Sequence, residues 1–247
     1  MKKLSLFLFT VILMFGSANM SKADLVVRGM GTITGIEGEY QLIYDTVLDI
    51  TWLDCTYPPI NKGGAPWNGL LGWADELVVS FGGQIYEDWR LPQALPINGS
   101  ESDYTIYAEP SSDGSTDWGY NISAPGTVYE GSKASEMAHL YYTTLGNLGY
   151  KDIYGNNQAD YGLLNTGPFV NLNTLAYYWN ANRTPDISYA WAFYVRTGIQ
   201  DKITVNSELK ALAVRPGDVG PVPLPGAVWL LGSGILGIIG IRRKIRL

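Results

Sequence analysis

Cysteine and histidine are almost missing from this chain: there is one of each in 247 residues. The lone Cys55 excludes an internal disulfide framework, and one Cys with one His excludes a structural zinc site, which needs four such ligands. Charge is also scarce, at 16%, but 46% of the residues are apolar, so the chain has enough hydrophobic surface to fold. No internal repeat is present, which excludes a solenoid or propeller. Positive charge is scarcest in the middle. All 23 acids lie between Asp24 and Asp218, whereas three of the 17 basic residues (Lys2, Lys3, Lys22) precede that span and four (Arg242, Arg243, Lys244, Arg246) follow it. The middle holds ten basic against 23 acidic residues, hence a net of −13. A body that acidic is a poor partner for nucleic acid.

The two ends read as addresses. Lys2 and Lys3 precede an apolar run from Leu4 to Phe15, and Ser21-Lys22-Ala23 places small residues at −3 and −1. This predicts a signal peptide over 1–23 with cleavage between Ala23 and Asp24, cleavage after Ala18 being the alternative. At the other end, Leu224 to Ile241 carries no charge. As a helix that run would span roughly 27 Å, close to the ~30 Å hydrocarbon core. The basic residues that follow belong on the cytoplasmic side, so the body faces outward. The expectation is a transmembrane helix at about 224–241 with a basic tail, 242–247. Gly232, Gly234, Gly237 and Gly240 leave that helix a low profile for packing on a partner.

The order of these parts carries a resemblance. Val222-Pro223-Leu224-Pro225, then Gly226 to Gly234, then an apolar stretch and Arg242-Arg243-Lys244 resemble the PEP-CTERM sorting signal of Gram-negative bacteria, with VPLP in place of Pro-Glu-Pro. The resemblance implies a sorting segment over 219–247 and recognition by an exosortase, a membrane-embedded cysteine transpeptidase that removes the tail. It also implies export across the inner membrane and a cell that makes exopolysaccharide.

Between the addresses, residues 24–218 suffice for one sizeable core. Val26 to Thr34 and Tyr40 to Leu53 are rich in β-branched and aromatic residues and predict two or three strands turned at Gly35 and Gly38. Trp67, Leu70, Leu71, Ala74, Leu77 and Val78 share one helical face and predict a helix over 66–80, entered at Pro66 and left at Gly82-Gly83. A second helix is expected over 132–145, capped by Ser132, with Glu136 near its positive end and Gly146 closing it. Residues 93–131 read as a polar loop region. Leu175 to Asn180, Tyr189 to Thr197 and Glu208 to Val214 read as late strands. The fold class is α+β.

A second resemblance spans this body. Thr51-Trp52-Leu53-Asp54, the helix bearing Trp67 and Trp73, Asp88-Trp89-Arg90-Leu91-Pro92, and Ala213-Val214-Arg215-Pro216 are similar to motifs of the Lcl C-terminal domain family, over residues 47–217. It implies a single, loop-rich, C-type-lectin-like domain, in which Trp52, Asp88 to Pro92, Arg215 and Pro216 are structural. Gln93 stands where the family continues into a helical Glu-Leu, so loop-borne specificity does not transfer.

Few residues nominate chemistry. Arg90 and Arg215 are each expected to pair with a carboxylate, Arg90 with Asp54 or Asp88. His139 has no evident partner for acid–base work, and Cys55 has no second support as a nucleophile. No catalytic residue is nominated. Asp113, Asp117 and Asn121 are calcium candidates, with Asp152, Asn156, Asn157 and Asp160 as a second oxygen-rich set. Late aromatics include Tyr177, Tyr189 and Tyr194, and Tyr178, Trp179 and Trp191 are the candidates for stacking on sugars. The expectation is a non-enzymatic, exported surface or matrix protein, associated with exopolysaccharide, without a required cofactor. A structural matrix protein or adhesin, or a glycan-cleaving enzyme, are the alternatives.

Overall fold

The computed structural model describes residues 25–58, 62–102 and 109–220. The expected signal peptide, its Ala23–Asp24 cleavage point, the sorting segment from Val222 onward and the apolar run 224–241 lie outside the described residues.

The described part is mostly β-sheet, with few and short helices. The first sheet contains β1 (Leu25–Ile33), β2 (Ile36–Asp45), β3 (Ile50–Tyr57), β4 (Val79–Phe81), β5 (Gln84–Tyr86) and β9 (Ala211–Pro216), in the order β5-β4-β1-β2-β3-β9. The second is the antiparallel meander β6 (Tyr177–Arg183), β7 (Tyr189–Tyr194) and β8 (Ile199–Thr204). The sheets meet where β6 runs beside β9, with Trp179 N–H donating to Lys210 C=O at 2.9 Å.

β3 explains its own sequence. Every residue from Ile50 to Thr56 is buried. Trp52 faces one cluster with Ile43 and Val214, while Leu53 faces another with Leu42 and Ala213. A strand covered on both faces has no polar face to alternate with. Three strands form, within the expected two or three, but Tyr40 to Leu53 is divided at Asp45 and not at a glycine. Asp45 is the reason: its Oδ1 accepts the N–H groups of Val47 and Leu48, both at 3.0 Å, and turns the chain. Gly35 at φ +78° forms the first turn, but Gly38 lies inside β2.

The first helix, α1 (Trp67–Asp75), is shorter than expected. Trp67, Leu70 and Ala74 do form its buried face. Leu77 is buried without helical backbone, Val78 is only half-buried, and the core continues with Val79 of β4. Gly82 and Gly83 are the turn of the β4–β5 hairpin, with φ of +59° and +79°, and not a helix exit. Pro66 is the residue before the first turn, and Trp67 N–H is satisfied by Val205 C=O at 3.0 Å.

The second helix begins at Ser135, not Ser132. Ser135 Oγ accepts from Ala138 N–H, and α2 (Glu136–Ala138) passes at once into a π-helical turn, His139–Thr144. The Leu145 N–H reaches back to Leu140 C=O at 2.9 Å, the wide-turn pattern. Gly146, at φ +67°, does close the segment. Of the late strands, β6 starts at Tyr177, two residues after the expected Leu175, and β9 at Ala211, three after Glu208; β8 was not anticipated, because Ile199 to Thr204 alternates too weakly to read.

Candidate functional site

The rings nominated for sugar stacking are core. Tyr178 and Trp179 are 0% exposed and Trp191 is 1% exposed. Trp179 packs with Trp67 and Leu70 under α1, and its indole N–H donates to Ala65 C=O at 3.2 Å. Tyr178 is locked by Thr56 and Asn173 at 2.9 and 2.7 Å. None of the three can reach a polymer at the surface in this fold. Tyr177, on the same side of β6 as Trp179 and packed against the same cluster, is the half-buried member of the Tyr177-Tyr178-Trp179 run.

Tyr177 on β6 and Tyr194 on β7 are cross-strand partners. Their rings are parallel, 4.0 Å apart at 2°, and each is half-buried. Asp201 on β8 lies one row along, opposite Ala192, near enough for its carboxylate to act on the Tyr177 hydroxyl. Trp118 comes from the long polar loop. Its indole N–H donates to Asp201 Oδ1 at 2.9 Å, and Lys202 Nζ stands 3.6 Å from the ring centroid. Tyr120 sits close enough for Asp201 to act on its hydroxyl. These six side chains form an aromatic ledge around one carboxylate.

The loop reaches β8 because Gly119 permits it. Its N–H donates to Gln200 C=O at 3.1 Å and its C=O accepts from Gln200 N–H at 2.9 Å. A Cβ there would stand 2.2 Å from Ser111 C=O, so only glycine fits between the two segments. Gln200 is anchored underneath: Ser135 Oγ donates to its Oε1 at 2.6 Å, and its Nε2 donates to Asp117 C=O at 2.8 Å. Burial pushes the Asp201 carboxyl above its ordinary range, opposed by the Lys202 N–H, the Trp118 indole, the Lys202 charge and the Tyr177 hydroxyl. Burial and Asp201 likewise hold Tyr177 well above the usual phenol range. Trp118 and Tyr120 were missed because a polar loop gives no periodicity to say which of its residues turn inward, and Asp201 because β8 alternates too weakly to read.

The motif residues form the frame. Trp52 and Trp89 are core, and Leu91 is 0% exposed. Pro92 C=O accepts from Ala181 N–H at 2.7 Å, and Pro216 pairs opposite Ile50. Arg215 does grip a carboxylate, holding Asp88 by Nε and Nη2 at 2.8 and 3.0 Å. That contact lowers the Asp88 carboxyl below its usual range. Arg90 does not pair with Asp54 or Asp88. Its two Nη atoms grip Glu136 at 2.7 Å each, at the start of α2. Asp54 instead accepts from the Val170 N–H at 2.8 Å and from Asn171, fixing a loop to β3. A cleft of about 290 Å³ lies beside this frame, lined by Leu71, Gly72, Asp75, Trp89, Arg90 and Leu91.

The calcium candidates do not converge. Asp117 is buried and accepts from Ile97 N–H at 2.7 Å, Asp113 accepts from Ser115, and Asn121 donates to Ser112 C=O and Lys151 C=O. Each is spent on loop backbone or a loop neighbour. Asp152 likewise closes its own turn onto Tyr154 and Asn156. Among the described residues no group of three or more His, Cys, Asp or Glu side chains could hold a metal ion. Cys55 is buried, and burial pushes its thiol up to about 12, so no thiolate is present near neutrality. His139 is also core, its Nδ1 donating to Ser132 C=O at 3.1 Å.

The one comparison that speaks to function concerns the tail. Residues 221–244 match the PEP-CTERM protein-sorting motif. The PEP-CTERM motif implies an exported protein that is processed by an exosortase and associated with the cell surface or envelope. No curated protein and no solved structure matches the chain, and the resemblance of the body to the Lcl C-terminal domain family and to a C-type-lectin-like fold finds no support. Among the described residues no helix is long and apolar enough to cross a membrane.

Proposed function

We propose that this protein is a non-enzymatic binding module of the cell surface or extracellular matrix, delivered by its PEP-CTERM tail and associated there with exopolysaccharide. The match at 221–244 carries the reading. A protein sorted to the outside of a polysaccharide-making cell meets glycan as its most abundant neighbour. The aromatic ledge supports the second half, since half-buried rings around a hydrogen-bonding carboxylate suit a sugar chain, which offers apolar C–H faces and hydroxyl rims. The reading invokes no cofactor and no catalytic residue.

The experiment has two arms. Deleting Val222 to Leu247 should release the body into the medium; unchanged association with the envelope rejects sorting by the tail. The full chain should also be retained on the host's own exopolysaccharide. Release of reducing sugar from that polymer would instead favour a glycan-cleaving enzyme, and self-assembly without retention a structural matrix protein.

A further inference from the structure

We propose that the ligand of the ledge is a glycan without acidic groups: neutral or amino-bearing hexoses, with C–H groups against the uncovered faces of Tyr177, Tyr194 and Trp118 and hydroxyl or amino groups hydrogen-bonded to Asp201. This rests on the polysaccharide reading and narrows it to one site and one class of polymer.

Three observations converge. The ledge is built of rings whose faces carry negative charge density and so attract polarised C–H groups or cations. Lys202, 3.6 Å over Trp118, covers one face of that ring, and Tyr177 and Tyr194 cover one face of each other, so the opposite faces are those left to a ligand. Its polar centre is Asp201, which as a carboxylate only accepts hydrogen bonds. Hydroxyl and amino groups satisfy it, whereas a uronic acid or sulfate would face it as a like charge. The third is the scarcity of cations to compensate. Of the ten basic residues in the body, Arg28, Arg90 and Arg215 are held by carboxylates, and Lys133 and Lys210 donate to backbone carbonyls. With 23 acids around them, the long-range field favours neutral or positive polymers and turns polyanions away.

The probes are hexamers of glucose, of glucosamine and of galacturonate, titrated at low salt against the full chain in a detergent without a sugar headgroup. Calorimetry reads the affinity, and the part of the tryptophan fluorescence change that Trp118→Phe removes, among the eight tryptophans, reports Trp118. The glucose or glucosamine hexamer should bind at least tenfold more tightly than galacturonate, with the gap narrowing as salt rises. Tyr194→Ala should weaken the uncharged or amino hexamer at least tenfold. Asp201→Asn, nearly isosteric and still able to accept the Trp118 N–H, should narrow the galacturonate gap and keeps the test valid if Tyr194→Ala folds poorly. Equal or tighter binding of galacturonate, or wild-type binding by both variants, overturns the proposal. Retention on host exopolysaccharide that neither variant changes would reject the ledge and leave the polysaccharide reading standing. Failure to retain any glycan, the host polymer included, rejects both.

Discussion

His139 illustrates how one residue's surroundings decide its role. It is 1% exposed, Nδ1 donates to Ser132 C=O, and Nε2 has no hydrogen-bond partner among the described residues. That is the arrangement of a neutral ring. Burial lowers its pKa below the ordinary 6.5, outweighing the opposing pull of the Ser132 carbonyl and Asp45. The unfolded chain therefore takes up this proton at a higher pH than the folded one. Stability from the neutral ring is complete above about pH 6.5 and is lost progressively below it, as pH falls toward and through the lower folded-state value. We expect His139→Gln to flatten the fall in melting temperature between pH 7 and pH 5. Equal slopes in the two proteins would show that the ring is not held neutral. At this scale the sequence nominated no partner for His139. Its depth in the core follows from the π-helical turn, which buries four consecutive side chains, His139 to Tyr142.

Among the elements, Arg90 does more than one job. Its backbone bridges Val214 of β9 in both directions at 2.8 Å, and its guanidinium grips Glu136 at the entry of α2. Glu136 also accepts from Gln93 N–H at 2.7 Å. One residue thus ties the first sheet to the segment that carries the central core. The Glu136 side chain is only 8% exposed, against 28% for Arg90. Removing the arginine leaves a buried carboxylate without its counter-charge, so Arg90→Ala should cost about 3 kcal/mol. Arg90→Lys, which keeps the charge but not the two-pronged fork, should fall between. Chemical denaturation reads both, and a loss under about 1 kcal/mol for Arg90→Ala would place the pair among weak surface bridges. That Arg90 pairs was legible from its Trp and Leu-Pro setting. Its partner was not, because Glu136 lies 46 positions away and sequence spacing does not order distant acids.

For the whole molecule, charge is the governing quantity. The body's net of −13 (10 basic against 23 acidic residues) stands behind a formal −6 for the chain. Removal of both terminal segments strips seven of the 17 basic residues, so a processed body repels itself more strongly than the full chain. Self-repulsion destabilises a compact state and is screened as the Debye length shrinks from ~10 Å at 0.1 M salt to ~3 Å at 1 M. We expect the melting temperature to rise by several degrees over that range in sodium chloride. About 1 kcal/mol corresponds to roughly 2–4 °C for a chain of this size. A flat or falling response would mean that pairs such as Arg90–Glu136 dominate, because salt weakens those.

What the sequence determined by itself is whatever is written in contiguous residues. The sorting motif is an ordered run of a Val-Pro-Leu-Pro motif, an apolar stretch and a basic end, and needs no folding to be read. The buried face of α1 and the strand character of β1 to β3 are local patterns, set by the 3.6 and 2.0 periods of side-chain direction. The charge balance is a count. The tertiary structure alone decided what depends on distant partners. It buried Tyr178, Trp179 and Trp191 and left Tyr177 and Tyr194 half-buried, because how deep a strand residue lies is fixed by the elements packed over it. It spent Asp113, Asp117 and Asn121 on loop backbone and neighbours, and brought Trp118 to Asp201, 83 positions away, through a glycine whose missing Cβ makes room for Ser111. A site assembled from a loop and three strands has no spacing to find in a sequence, since only the close approach of their backbones brings its parts together.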